Sequence, residues 1–264
     1  MIYSRVICGL TRSQLDTIIK FRKLYYRLKM SNEDQAWLDY RAKFADVYDN
    51  SNYSSPLQSA VMRASHRLVE KKFQKQDYFS KVLEIGAGTG EHFAFVRHGF
   101  DQYVLTDLDG ATLDVAKRKI CGEKTDKLSF ETQSATGLNF SDNSFDRVIA
   151  THVLEHIYQP HLVLLEWERV LKKGGMLSVL IPTDPGLAWR LGRHLGPRRN
   201  AIAQGIAYDY VMAREHVNSC NNLIALLRHQ FPNRVEAWWP IPMPSIDLNL
   251  FFAFHAVINK TKKQ

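Results

Sequence analysis

The stretch Val82-Leu-Glu-Ile-Gly-Ala-Gly-Thr-Gly-Glu-His92 decides how this chain folds. Its first half, with Lys81 before it, is short and apolar and stops at a glycine, the pattern of a parallel strand buried on both faces. The residues that follow nearly dispense with side chains. Gly86, Gly88 and Gly90 free the backbone to take positive φ and to approach a ligand closely. Glu91 then opens the apolar run His92-Phe-Ala-Phe-Val96, which predicts a helix whose N-terminal amides face the loop. Strand, glycine turn and helix together make a place for a nucleoside or another polar ligand.

Spacing separates two ligand classes. A dinucleotide fingerprint needs G-x-G-x-x-G, with the third glycine allowing close helix packing. Here the third glycine falls at Gly90, one residue early, and Glu91 stands at the required position, which counts against NAD. Downstream, Gln102-Tyr-Val-Leu-Thr-Asp107 reads as a second strand ending on an acid about 20 residues past the glycines, where a ribose would lie. Asp107 or Asp109 could instead cap the helix Ala111 to Lys119; Asp109 fits the cap and Asp107 the strand end.

A third unit, Ser144-Phe-Asp-Arg-Val-Ile-Ala-Thr-His-Val-Leu-Glu-His-Ile157, is a strand running into a short helix. Together with Glu84-x-Gly86-x-Gly88-x-Gly90 and Asp107, it resembles the class I methyltransferases that use S-adenosylmethionine (SAM), close to those of quinone biosynthesis. The resemblance covers Tyr78 to Thr183 and implies SAM as cofactor. The positions it assigns to the cofactor are Glu84, Gly86, Ala87, Gly88, Gly90, Asp107, Leu108, Ala135, Thr136 and His152, with Asp107 accepting the ribose hydroxyls. One position departs from the pattern. Where relatives often place an acid against the adenine amino group, this chain reads Glu131-Thr-Gln-Ser-Ala-Thr136, leaving the backbone of Ala135 and the hydroxyls of Ser134 or Thr136.

The remaining periodicity completes a fold class. Pro160 to Leu171 is helical by its apolar spacing, Lys172-Lys-Gly-Gly175 is a stop, and Met176 to Ile181 is another buried strand. Val235 to Ile258 resembles a closing pair of strands. The alternation predicts an α/β, Rossmann-like doubly wound sheet, mostly parallel with a final antiparallel strand, plus N-terminal helices. We expect a helical extension over 1–77 that covers the cofactor or touches a membrane, and a SAM-binding domain over 78–264. A substrate lid is expected over 183–217, at the carboxyl edge of the sheet where acceptors bind. Just after that lid, Asn218 marks the cap of a helix reaching about Gln230.

Methyl transfer to a small-molecule, lipid or glycan-precursor acceptor is the function this resemblance implies. The same motifs suit a SAM-binding protein that transfers nothing and serves as a regulatory or scaffolding partner. If the acceptor must lose a proton, His152, His156 and His216 are the candidate bases. Arg190, Arg193, Arg198 and Arg199 match a phosphate or carboxylate on the acceptor or are solvated, and Tyr208 and Tyr210 lie in the same lid. No metal-ligand spacing is visible.

Composition bounds the setting. The 264 residues carry a formal charge of +8, and the first thirty hold seven basic residues against Asp16. That basic amphipathic segment, Thr11 to Lys29, either packs on the domain or lies on an anionic membrane surface. No nucleic-acid module accompanies the charge. Three cysteines, Cys8, Cys121 and Cys220, suggest a reducing compartment. The expected location is cytoplasmic, with peripheral contact at the inner membrane surface as an option.

Overall fold

Seven apolar runs pair into one sheet in the computed structural model, which describes residues 37, 38, 40, 56–120 and 125–260. The segment Thr11 to Lys29, Cys8 and Cys121 lie outside the described residues, as does most of the expected helical extension before Pro56. The strands are β1 (Lys81–Ile85), β2 (Gln102–Asp107), β3 (Leu128–Thr132), β4 (Phe145–Thr151), β5 (Leu171–Pro182), β6 (Arg234–Trp239) and β7 (Phe251–Val257). Their order is β3-β2-β1-β4-β5-β7-β6. The pairs among β1 to β5 are parallel, and β7 runs antiparallel to both neighbours, as the sequence predicts.

Helices cover both faces: α1 (Pro56–Glu70), α2 (Gly110–Ile120), α3 (Pro160–Val170), α4 (Leu187–Leu195), α5 (Pro197–Ala203), α6 (Tyr208–Glu215) and α7 (Cys220–Gln230). The larger core packs Trp167 and Val163 of α3 and Leu223 and Leu227 of α7 against β4, β5 and β7. Burial of such apolar area is the main stabilising term, roughly 25 cal/mol per Å².

Four local readings change. His92–Phe95 is a single 3-10 turn, so no helix dipole faces the glycine loop. The cause is His92, which is drawn into the core by Glu70 and His66. β5 begins at Leu171, because Gly174, at φ 81°, lets the expected stop run on as strand. Ser219 caps α7 through its side chain, whereas Asn218 donates to the carbonyl of Ile157. Residues 187–215 fold as three short helices.

Helix α1 is an integral layer of the sheet. Leu68 and Val69 pack on Leu180, Phe251 and Ala253, and Glu70 reaches beneath the sheet to Arg147 of β4. Arg147 is fully buried; its Nη2 and Nη1 donate to Glu70 Oε1 and Oε2 at 2.6 and 3.2 Å, and its Nε donates to Ser178 Oγ at 3.2 Å. The ring of Phe73 lies 3.8 Å from the guanidinium carbon. Burial alone would raise the pKa of Glu70, but Arg147 and the bonds from His92 and Arg147 hold it far below the carboxylate range. Only a matched fork could keep both charges dry.

Two buried histidines set an acid limit. Burial, with the Arg147 charge adding to it, lowers His98 to about 4 and His255 to about 3. Their folded pKa values lie below the unfolded value of about 6.5, so only the unfolded chain takes up these protons in between. Their contribution to stability is complete above that pH and is lost as pH falls toward 4 and then 3. We expect urea midpoints to decline from about pH 6.5 downward, and His98→Phe to flatten part of that slope.

Candidate functional site

The carboxyl ends of β1, β2, β4 and β5 converge on one edge, and each delivers a piece of the site. β1 delivers the glycine loop. Gly86, Gly88 and Gly90 sit at φ 66°, 54° and 77°, a region that only glycine enters freely. A Cβ on Gly86 would meet Val153 at 2.3 Å, and one on Gly90 would meet Ile120 at 2.4 Å, so both hold the loop against neighbouring elements. Gly88 differs: a Cβ there would meet no protein atom within 4 Å. It would project into the open cradle above the sheet.

β2 delivers Asp107, whose Oδ2 accepts the amide of Gly88 at 2.9 Å and whose Oδ1 accepts that of Asp109 at 3.0 Å. The carboxylate is thereby aimed and retains lone pairs for further donors. Asp109 caps α2, accepting from the amide of Ala111 and the hydroxyl of Thr112. Leu108, three-quarters exposed, offers an apolar surface at the lip. Ala87 is buried beneath the loop. Glu84 is buried too; it accepts from the Tyr103 hydroxyl at 2.5 Å, while its Oε1 has no partner among the described residues, and burial pushes its pKa up. Ala135 gives its carbonyl to Trp167, and Ser134 and Thr136 share a hydrogen bond at 2.8 Å. An aimed carboxylate, a cradle that a side chain would fill and an orphaned buried oxygen fit a nucleoside cofactor.

β4 delivers His152, at φ 57°, where a side-chain-bearing residue is uncommon and marks local strain. Its Nε2 lies 3.2 Å from Ser65 Oγ of α1 and its Nδ1 3.7 Å from Glu155. The turn Leu154–His156 follows. His156 Nδ1 contacts Glu215 at both its carbonyl (2.8 Å) and its carboxylate (3.1 Å). Burial works against the protonated ring, but the bond to Glu215 and the charges of Glu155 and Glu215 outweigh it and raise its pKa.

The segment after β5 delivers Asp184, and the end of α6 delivers His216, whose Nδ1 sits 2.9 Å from Asp184 Oδ2. Arg193 donates to the same oxygen at 3.1 Å. Burial would raise the pKa of Asp184, yet His216 and Arg193 lower it. Trp189 stacks on His216, and the His156 and His216 rings meet edge to face at 5.1 Å.

The anion-binding candidates divide. Arg198 is engaged by Asp209 through two nitrogens, and Arg193 by Asp184, with its guanidinium also 5.3 Å from the ring of half-buried Tyr208. Arg190 and Arg199 have no side-chain partner among the described residues. The Tyr210 hydroxyl accepts from Arg214. Sequence reading passed over Ser65, Glu70, Glu155, Asp184 and Glu215. Their spacing carries no signal because the fold brings them in from separate elements. It also found no metal spacing, whereas the fold gathers Glu155, His156 and His216.

Comparison with known proteins places the chain among relatives. Residues 83–179 match the family described as methyltransferase domain. Methyltransferase GfsG of Streptomyces halstedii is 29% identical over 55% of this chain and 54% of its own length. The demethylmenaquinone methyltransferase of Clavibacter sepedonicus is 33% identical over 38% of this chain and 40% of its own. The chain thus spans about half the length of the curated relatives it matches. A crystal structure of a Pyrococcus horikoshii OT3 protein shares the fold, with a TM-score of 0.56 at 17% identity over 81% of this chain and 98% of that one.

Proposed function

From the match of residues 83–179 to the methyltransferase domain family, we propose that this protein is a class I enzyme that transfers a methyl group from SAM to an apolar small-molecule or lipid acceptor. The observation that carries the reading is the open cradle at Gly88, tied by its own amide to the Asp107 carboxylate. Bound SAM supplies an electrophilic methyl group on a sulfonium. The protein therefore has to bind, orient and exclude water.

Each residue then has a task. Asp107 accepts the ribose hydroxyls, Leu108 covers one face of the base, and Gly88 lets the loop approach. Glu84 stays beneath the loop with one free oxygen for a donor near the amino-acid end. On the acceptor side, the Asp184 bond to Nδ1 of His216 leaves Nε2 to govern the acceptor's proton. His152 is held by Ser65, which couples α1 to the site. Residues 183–217 are the lid, three short helices within it.

Support for an apolar acceptor comes from α4. Leu187, Leu191 and Leu195 recur every fourth residue and are all exposed, beside Arg190. A headgroup anion fits Arg190 and Arg199, and the leucines fit its chain. No helix among the described residues is long and apolar enough to cross a membrane. Leu191→Glu with Leu195→Glu should abolish co-sedimentation with anionic liposomes at unchanged SAM affinity.

Transfer of labelled methyl from SAM to cytosolic or membrane extract fractions tests the reaction. Saturable SAM binding without label in any fraction would leave a binding protein in place of an enzyme. Once an acceptor is found, His216→Ala should lower kcat about 100-fold or more at unchanged SAM affinity, the lower end of general acid–base contributions. Asp184→Asn should lower it less and shift the pH profile.

A further inference from the structure

The histidines beside the acceptor side of the site are arranged as metal ligands are. One ligand atom each from Glu155, His156 and His216 lies within 4.8 Å of the others. The two rings are fixed from behind. Nδ1 of His156 is bound to Glu215, and Nδ1 of His216 to Asp184. Metal-bound imidazoles characteristically have their second nitrogen held by a carboxylate or a backbone carbonyl, which sets the tautomer and frees the other nitrogen's lone pair. Here both do. The third group is equally specific. Glu155 is 98% buried, and its Oε2 has no hydrogen-bond partner among the described residues. Its Oε1 faces imidazole nitrogens, 3.7 Å from His152 Nδ1 and 3.9 Å from His156 Nε2. A buried carboxylate oxygen without a donor is costly, of order 1–3 kcal/mol. A cation is the simplest group to satisfy it.

We propose that Glu155, His156 and His216 bind one divalent transition-metal ion of the zinc class. Two imidazoles and one carboxylate make a donor set that suits zinc, with a fourth position open to water or substrate. Metal–nitrogen distances of about 2.0–2.1 Å imply ligand atoms about 3.3 Å apart on a tetrahedral ion. The trio therefore has to close by at most about 1.5 Å, within the reach of small side-chain rotations. Cys220, buried nearby, stands outside the trio of converging ligand atoms. Metal binding stands independently of methyl transfer. Its role rests on that reading: a bound ion would polarise an acceptor oxygen and ease loss of its proton, with His216 serving as a ligand in place of acting as the base.

The test uses the full, tag-free chain after chelation and dialysis. Titration with Co2+ should give visible d–d absorption saturating at one equivalent, and Zn2+ should displace it. Glu155→Gln and His216→Gln should each weaken Co2+ binding at least 10-fold, as loss of a ligand does, while His229→Gln, an external histidine on α7, should not. SAM affinity on the same samples reports folding. Binding that survives both ligand substitutions, or no saturable Co2+ signal in a sample that binds SAM, would overturn the metal site. A chain that binds Co2+ but not SAM would sustain the site and remove the methyltransferase reading.

Discussion

Gly88→Val is expected to abolish SAM binding, raising Kd by at least about 100-fold while leaving a folded protein. Two effects act together. At φ 54° a β-branched residue is strained, at about 1–3 kcal/mol, and its side chain would occupy the cradle, where no protein atom lies within 4 Å. The backbone strain lowers stability modestly, but because a Cβ there strikes no protein atom the steric cost falls on the ligand and not on the core. Gly86→Val is the contrast: its Cβ collides with Val153, so it should lose stability together with binding. Calorimetric titration with SAM, paired with thermal melts, separates the two. Wild-type affinity in Gly88→Val would remove the ligand from this loop.

Glu70→Ala is expected to cost the fold about 3–5 kcal/mol, the range found when one partner of a buried ion pair is removed. Arg147 would be left fully buried with Ser178 as its remaining hydrogen-bond acceptor. Replacing both charges, as Glu70→Leu with Arg147→Met, should restore much of the loss, because the apolar pair needs no solvation. Chemical denaturation of the two single variants and the double one measures the coupling directly. A near-additive result would show the pair to be incidental. The folded pKa of Glu70 lies below its unfolded value, so the pair's stabilisation is full above about pH 4.3 and declines as pH falls toward the folded pKa. That window opens lower than the one set by His98 and His255 and overlaps its acid end.

Much of the sheet was legible because buried parallel strands are short apolar runs between breakers. β1, β2 and β4 could be read that way. The glycine loop and Asp107 were legible because backbone conformation and strand ends leave local marks. His92 shows where this stops: its run was amphipathic enough for a helix, but Glu70 and His66, more than twenty residues upstream, captured the ring and ended the turn. Arg147 lies within a strand whose apolar run is legible, but its partner stands 77 residues away. Asp184 and His216 meet only because β5 and α6 end at the same edge of the sheet. Local rules describe elements; contacts between distant charges belong to the assembled fold.

The Arg147–Glu70 fork also says where this protein can be cut. The stretch that matches the methyltransferase domain family starts at residue 83, but the counter-charge for the fourth strand is carried at position 70. A fragment begun at the family boundary would bury a guanidinium with no anion, so what is inherited as a recognisable module is smaller than what survives alone in water. Expression designs and domain fusions should therefore keep the chain from at least Pro56 onward.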